Sequence, residues 1–103
     1  MSILSLTYHC TESFLDKWEV FFTEQFPQLI EKHINTEKYI LSEVHTEMIQ
    51  EGKNYNLLIF FHSKEKRQDF LDKEYSHIQS YIMQEFGQEV MDFVTLLNQR
   101  MYN

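Results

Sequence analysis

Histidines, carboxylates and one threonine recur in the predicted strands and could do chemistry together. A histidine next to a carboxylate can transfer protons or hold a metal ion. Because we place these residues on the sheet face away from the helices, they are candidates for lining a small-molecule site there. The favoured interpretation is a water-filled or hydrogen-bonded dimer interface, with some of the residues at exposed sheet ends; no catalytic residue, metal site or cofactor is assigned. The predicted ligand-lining residues are Thr7, His9, Glu43, His45 and Asp92.

A second candidate is the pair Glu74 and His77, which share one face of a predicted helix. This spacing of three occurs in di-iron helical bundles, but those sites need two such pairs and two further glutamates. The chain has one pair, so we expect an exposed helix pair rather than a metal site. His33 falls in the last turn of the other helix, where the helix dipole favours a cation, and we prefer that role to ligation.

Aromatic residues form the third candidate, because a pocket between the helices and the sheet could hold a flat apolar ligand. Their spacing of three and four is more typical of a helix stripe packed into the core. Cys10 is likewise expected to pack as a small buried hydrophobe rather than to act as a nucleophile. The aromatic set comprises Trp18, Phe21, Phe22, Phe26, Phe70, Tyr75 and Tyr81.

Length and composition predict one domain over residues 1–103 with enough apolar material for a core. The formal net charge of −7 argues against binding to the phosphate backbone of nucleic acids. The chain has one cysteine and no signal-peptide pattern. It also lacks an apolar run of the roughly 18–20 residues that cross a bilayer, so we expect a cytoplasmic protein without membrane contact.

Residues 54–62 carry the strand pattern around which the rest of the fold is arranged. Five consecutive large apolar residues, 57–61, stand where a strand is expected. Side chains of a strand alternate between the two faces of its sheet, so this strand is apolar on both faces and needs cover on both. One face would carry Leu58 and Phe60, and the other Tyr55, Leu57, Ile59 and Phe61.

The remaining pattern places this strand third of four. Apolar stripes predict one helix along residues 14–30, with a kink or short break near Gln25–Phe26 caused by Pro27. They predict a second helix from Ser63 to about Glu85, with Gly87 as its C-terminal cap. Residues 50–54 form a turn signal, so the second and third strands make a hairpin. The other predicted strands span residues 2–10, 37–50 and 89–97.

This order, βαββαβ, predicts an α+β fold of the ferredoxin-like type. Its four-stranded antiparallel sheet has the order 4-1-3-2, with both helices on one face. The apolar side chains on the opposite face would then lie in water. Two such sheets packed face to face would bury them, so we predict a homodimer through this face.

The sequence resembles a family of short bacterial proteins defined only as a domain of unknown function, within the dimeric α/β-barrel, ferredoxin-like superfamily. The likeness covers nearly the whole chain and implies the same fold and dimer. Two histidines frequent in that family are replaced here, at Gln25 and in the segment Glu74-Tyr75-Ser76, so no role is carried over to them. The resemblance is carried by Ser13, Phe14, Trp18, Phe21, Phe22, Phe26, Pro27 and the segments 55–61, 85–87 and 93–97.

Two functions follow from these expectations. The favoured one is a homodimeric module that binds a partner or a small molecule. The alternative, by fold analogy alone, is a small cofactor-independent oxygenase or isomerase of the dimeric α/β-barrel type. An enzyme predicts a closed cavity of roughly 300 Å³ or more that contains His9 or His45 with an acid. A binding module predicts that these side chains are exposed or satisfied by one another.

Overall fold

Four strands form one antiparallel sheet in the computed structural model, which describes residues 1–35, 37–45 and 51–101. The spatial order is β2-β3-β1-β4, which is the predicted 4-1-3-2 order read from the other edge. The strands are β1 Ser2–Cys10, β2 Lys38–Glu43, β3 Lys53–Phe61 and β4 Val90–Asn98. The predicted fold class is therefore confirmed.

The second strand is shorter than predicted. β2 ends at Glu43, although the amide of Val44 still donates to the carbonyl oxygen of Asn54 at 2.9 Å. The predicted continuation over residues 46–50, including Gln50 of the expected turn, lies outside the described residues, as do Thr36, Tyr102 and Asn103.

Each of the two predicted helices is divided by a π-helical turn. The first comprises a 3₁₀ turn Glu12–Phe14, α1 Leu15–Val20, the π-helical Phe21–Gln25 and α2 Phe26–Ile34. The kink or break predicted near Gln25–Phe26 coincides with the change from π-helix to α-helix between these two residues. Pro27 lies in the first turn of α2, where its missing amide proton costs no hydrogen bond.

The second helical segment has the same division, which the sequence does not indicate by a proline. It comprises α3 Lys64–Asp69, the π-helical Phe70–Glu74 and α4 Tyr75–Phe86, followed by a 3₁₀ turn Gly87–Glu89. The helix begins where predicted, at Ser63, which is its N-cap: the Ser63 hydroxyl accepts from the amide of Lys66 at 3.1 Å. The predicted cap residue Gly87 ends α4 with φ 59° and ψ −135°, a positive-φ conformation that favours glycine.

An aromatic cluster fills the space between the helices and the sheet. Trp18 is fully buried at its centre, with six aromatic rings at centroid distances of 5.3–6.2 Å. The core interpretation of the aromatic residues holds for all but two of the set: Tyr75 is half-buried, and Tyr81 is exposed and stacks on Phe21. The six neighbours of Trp18 are Tyr8, Phe21, Phe22, Phe26, Tyr55 and Phe86.

The two faces of β3 have the predicted composition and different surroundings. Tyr55, Leu57, Ile59 and Phe61 are buried beneath the helices, together with the even-numbered residues of β1. The opposite face, which we call the open face, has no layer over it among the described residues. Its side chains are Ile3, Ser5, Thr7, His9, Lys38, Ile40, Ser42, Asn54, Asn56, Leu58, Phe60, Met91, Phe93, Thr95 and Leu97.

The chain's two glycines provide a matched test of this backbone. Both have positive φ, 78° at Gly52 and 59° at Gly87, but a Cβ at Gly52 would collide with the carbonyl oxygen of Cys10, whereas nothing lies within 4 Å at Gly87. We expect Gly87→Ala to lower the free energy of unfolding by about 1–3 kcal/mol, the cost of its positive-φ backbone conformation alone. Gly52→Ala should cost at least about 1 kcal/mol more, because steric overlap is added.

Urea denaturation of both variants and the wild type measures this difference. Equal losses for the two variants would mean that the turn at Gly52 relaxes without disturbing β1.

Candidate functional site

A small pocket lies between α4 and one edge of the sheet. Its volume is about 60 Å³. β1 and β4 supply its polar floor, because Tyr8 and Asp92 are direct partners in the antiparallel register. The side chains that line it are Tyr8, Gln79, Ile82, Met83, Val90 and Asp92.

The local sequence explains why these side chains meet. Alternation along β1 turns Tyr8 toward the helices with Leu6 and Cys10, all of them at most 1% exposed. The same alternation along β4 turns Asp92 toward the helices next to the buried Val90. α4 packs over this edge through Ile78 and Ile82, and so closes the pocket from above.

The hydroxyl of Tyr8 is buried without a hydrogen-bond partner among the described residues. Burial is the main cause that raises its pKa well above the ordinary value of 10.0, and the negative charge of Asp92 and the neighbouring Tyr75 add to the shift. Tyr8 is therefore a neutral hydroxyl at physiological pH, with one donor and two acceptor positions available to a guest.

Asp92 is held by a neighbour from the second helical segment. The hydroxyl of Tyr75 donates to its Oδ2. Burial, and then the hydrogen bond to Asp92, raise the pKa of Tyr75 above 10.0, so this donor keeps its proton. Among the described residues, no lysine, arginine or histidine lines the pocket, so the carboxylate is the only charged group that they place there.

The predicted position of Asp92 on the open face is wrong. Asp92 pairs with Tyr8 rather than with Thr7 or His9, so it shares the face of β4 that packs Val90 beneath the helices. A shift of one residue in register moves a side chain to the opposite face of a sheet. Asp92 does line a pocket, but not with the predicted companions.

The predicted position of Glu43 on the open face is also wrong. Glu43 pairs with Tyr55, whose side chain faces the helices, and it forms an ion pair with Lys53 at the sheet edge. His45 lies beyond the end of β2 and is exposed. The two residues are therefore not brought together with His9, and their part in ligand binding remains a prediction.

Thr7 and His9 do lie on the open face, where nearby polar groups satisfy them. His9 Nδ1 is 2.7 Å from Asn54 Oδ1. The side-chain amide of Asn56 donates to Ser5 Oγ at 2.8 Å and to Thr7 Oγ1 at 3.3 Å. These contacts correspond to the mutual satisfaction expected of an interface, and a ligand role for Thr7 and His9 stays untested.

The pair Glu74 and His77 has a partner that sequence spacing could not reveal. His33, from α2, lies with its Nδ1 2.9 Å from Glu74 Oε2 and stacks on the ring of His77 at a centroid distance of 5.5 Å. This contact borders a cleft of about 280 Å³ in which Lys66 and Lys73 also lie near acidic side chains. Among residues 1–35, 37–45 and 51–101, no three histidines, cysteines or carboxylates are arranged to hold a metal ion.

Cys10 is fully buried, as the sequence predicts. Burial is the main cause that raises the pKa of its thiol to about 11, with Glu89 the next contributor. A thiol with so high a pKa has little thiolate at neutral pH, which agrees with the core role predicted for Cys10.

Sequence reasoning missed Tyr8 and Gln79 as parts of a site. Tyr8 carries a signal that could have been read: it is the one residue with a polar tip on the buried face of β1 between Leu4 and Cys10. A buried tyrosine hydroxyl usually has a hydrogen-bond partner, so a tyrosine at this position predicts a polar group near its hydroxyl.

Substitution of the two pocket tyrosines tests this geometry. Tyr8→Phe should leave the free energy of unfolding unchanged or slightly higher, because it removes a buried hydroxyl that has no protein partner. Tyr75→Phe should lower it by about 1–2 kcal/mol, because Asp92 loses its hydrogen-bond donor. Urea denaturation measures the free energy of unfolding of both variants. A larger loss for Tyr8→Phe than for Tyr75→Phe would contradict the finding that the Tyr8 hydroxyl has no protein partner.

Alkaline unfolding tests the tyrosine pKa values. The pKa values of Tyr8, Tyr55 and Tyr75 are raised above 10.0 in the folded state, so folding binds their protons more tightly. The stability they contribute is complete below pH 10.0 and is lost as pH rises through the folded-state values. We expect the protein to unfold cooperatively above pH 10.0. The ultraviolet absorbance of the tyrosinate forms of these residues should rise together with the loss of structure. Ionisation of these tyrosines near pH 10.0 while the fold is intact would refute the raised pKa values.

Comparison with known proteins places the chain by fold and by family. It is 9% identical to an ethyl tert-butyl ether d (EthD) family protein from Bacillus halodurans, with a TM-score of 0.68 over 98% of this chain and 100% of that one. A dimeric ferredoxin-like protein from an uncultured marine organism is 11% identical, with a TM-score of 0.54 over 99% and 98%. A putative antibiotic biosynthesis monooxygenase from Bacillus cereus is 16% identical, with a TM-score of 0.52 over 99% and 97%.

At these identities the likeness shows the fold alone. No curated protein matches the sequence. The resemblance to a ferredoxin-like family of unknown function is confirmed at the level of the whole chain. Residues 1–100 match the family described as Domain of unknown function (DUF4286), and the chain belongs to that family.

Proposed function

We propose that this protein is a homodimeric small-molecule-binding module, in which the open faces of two copies pack together and the pocket at Tyr8 and Asp92 takes the ligand. The observation that carries the proposal is the apolar open face. Ile40, Met91 and Phe93 are each more than half exposed there. A contiguous apolar patch of several hundred Å² is unusual on a monomer and typical of an interface.

The shape and polarity of this face support a second copy as its cover. A groove of about 810 Å³ lies at one end of it, lined in part by Ile3, Ile40 and Phe60. When histidine is counted as neutral, Lys38 is the only one of the open-face residues named above that carries a formal charge. The chain as a whole has a net charge of −7. Two copies can therefore approach through this face without strong repulsion, as a symmetric dimer requires.

The polar residues of the open face are compatible with burial. Asn56 already donates to Ser5 and Thr7, and His9 already contacts Asn54. Burying a polar group is costly chiefly when it loses its hydrogen bonds, and these would be kept. The marine neighbour described as a dimeric ferredoxin-like protein also supports this assembly.

The pocket at Asp92 favours a small ligand over an enzyme substrate of ordinary size. Its volume of about 60 Å³ is below the roughly 300 Å³ typical of pockets for larger molecules. His9, which is half-buried with its Nε2 3.9 Å from Glu51 Oε2, does not line this pocket. The alternative of a cofactor-independent oxygenase or isomerase is supported by the likeness to the putative monooxygenase and by the buried Tyr8 hydroxyl beside an acid.

A reducing, cytoplasmic location is part of the proposal. The single thiol, Cys10, is buried and has no cysteine partner in the sequence. Within the described part of the chain, no helix has the length and apolar character needed to span a bilayer.

A matched pair of lysine substitutions tests the dimer. Phe93 on the open face and Val20 on α1 are each 53% exposed. Phe93→Lys should weaken the dimer at least about 100-fold, because each copy would bury an unpaired charge. Val20→Lys should leave the dimer intact, because α1 lies on the helix side of the sheet.

Sedimentation velocity across a concentration series measures both variants and the wild type. A wild-type monomer at micromolar concentration would refute the dimer. Equal dissociation constants for Phe93→Lys and the wild type would refute the open face as its interface.

A further inference from the structure

We infer that the pocket lined by Tyr8, Gln79 and Asp92 binds a small primary ammonium ion, methylammonium in size. This assignment rests on the small-molecule half of the proposed function and gives the ligand a chemical class. It does not depend on the dimer, because the pocket lies on the helix side of the sheet and the proposed interface lies on the other.

The charge of the pocket favours a cation. Asp92 is half-buried and is the only charged group among the lining residues. The Tyr75 hydroxyl donates to its Oδ2, and no described residue donates to its Oδ1. A partly buried carboxylate with a single neutral donor gains most from a guest that brings both positive charge and N–H groups.

The hydrogen-bonding groups favour an ammonium ion over a bare metal cation. The unpartnered Tyr8 hydroxyl is 1% exposed and lines the cavity, where its oxygen can accept a hydrogen bond. The Gln79 side chain adds an amide oxygen. One carboxylate, one neutral phenol and one amide suit the three N–H donors of a primary ammonium, whereas transition metals prefer several imidazole, thiolate or carboxylate ligands.

The size of the cavity limits the guest. About 60 Å³ exceeds the roughly 10–15 Å³ that one water molecule requires, so the space holds a guest of a few non-hydrogen atoms. The apolar wall formed by Ile82, Met83 and Val90 suits a short alkyl group. Met83 is 59% exposed at the surface of α4, which places this side of the pocket beside solvent.

The fluorescence of Trp18 offers a direct readout. Trp18 is the only tryptophan, and its ring lies 5.6 Å from that of Tyr8. Titration of the full-length protein with methylammonium chloride should give a saturable change in emission. Sodium chloride at equal ionic strength controls for salt, and tetramethylammonium chloride controls for charge, because it has no N–H donor.

Three variants assign the response to the pocket. Asp92→Asn should weaken methylammonium binding at least about 10-fold, because it removes a charge-assisted hydrogen bond. Tyr8→Phe, which we expect to fold normally, should weaken it by about 2–10-fold. Asp16→Asn removes one exposed carboxylate from α1 and should leave the affinity unchanged.

The outcomes separate this assignment from the proposed function. The same saturable change with the neutral probe methanol would overturn the ammonium class and leave the pocket as a binding site. No response to either probe would overturn both the assignment and the ligand-binding half of the function, while sedimentation still decides the dimer. An unchanged affinity in both Asp92→Asn and Tyr8→Phe would overturn the location.

Discussion

The strand β3 sets the constraint on which the rest of the fold depends. It is hydrogen-bonded on both edges, to β1 and β2, and it carries large apolar side chains on both faces. Burial of one such side chain is worth about 1.5–3 kcal/mol, so leaving either face in water would forfeit much of the stability of a small domain. The helices cover Leu57 and Ile59, whereas Leu58 and Phe60 on the other side are half-buried, with no layer over them among the described residues.

The two faces consequently have different chemistry. Beneath the helices, Trp18 and its aromatic neighbours form a dense apolar core, and the Tyr8 hydroxyl and the Asp92 carboxylate form a small polar pocket toward the β4 edge. On the open face, apolar side chains alternate with a small hydrogen-bonded network around Asn56. The first arrangement suits a small enclosed guest, and the second suits a flat, self-complementary surface.

Strand pattern and order were readable in the sequence because period-two alternation and the two helical stripes are local signals. The side of the sheet on which Asp92 lies was not readable, because it depends on how β4 pairs with β1, and a register of one residue decides it. The contact of His33 with Glu74 joins residues 41 positions apart. Buried Arg67, which donates to the carbonyl oxygens of Ile3 and Leu97, likewise depends on tertiary contacts that no local pattern encodes.

The most direct test of the account uses two methionines of matched exposure, 54% at Met91 on the open face and 59% at Met83 on α4. In protein labelled on its methionine methyl groups, a soluble paramagnetic agent broadens the signals of methyl groups that water can reach. If a second copy covers the open face, Met91 should be protected at high protein concentration while Met83 is fully broadened. Equal broadening of the two methyl signals at every concentration would contradict the account.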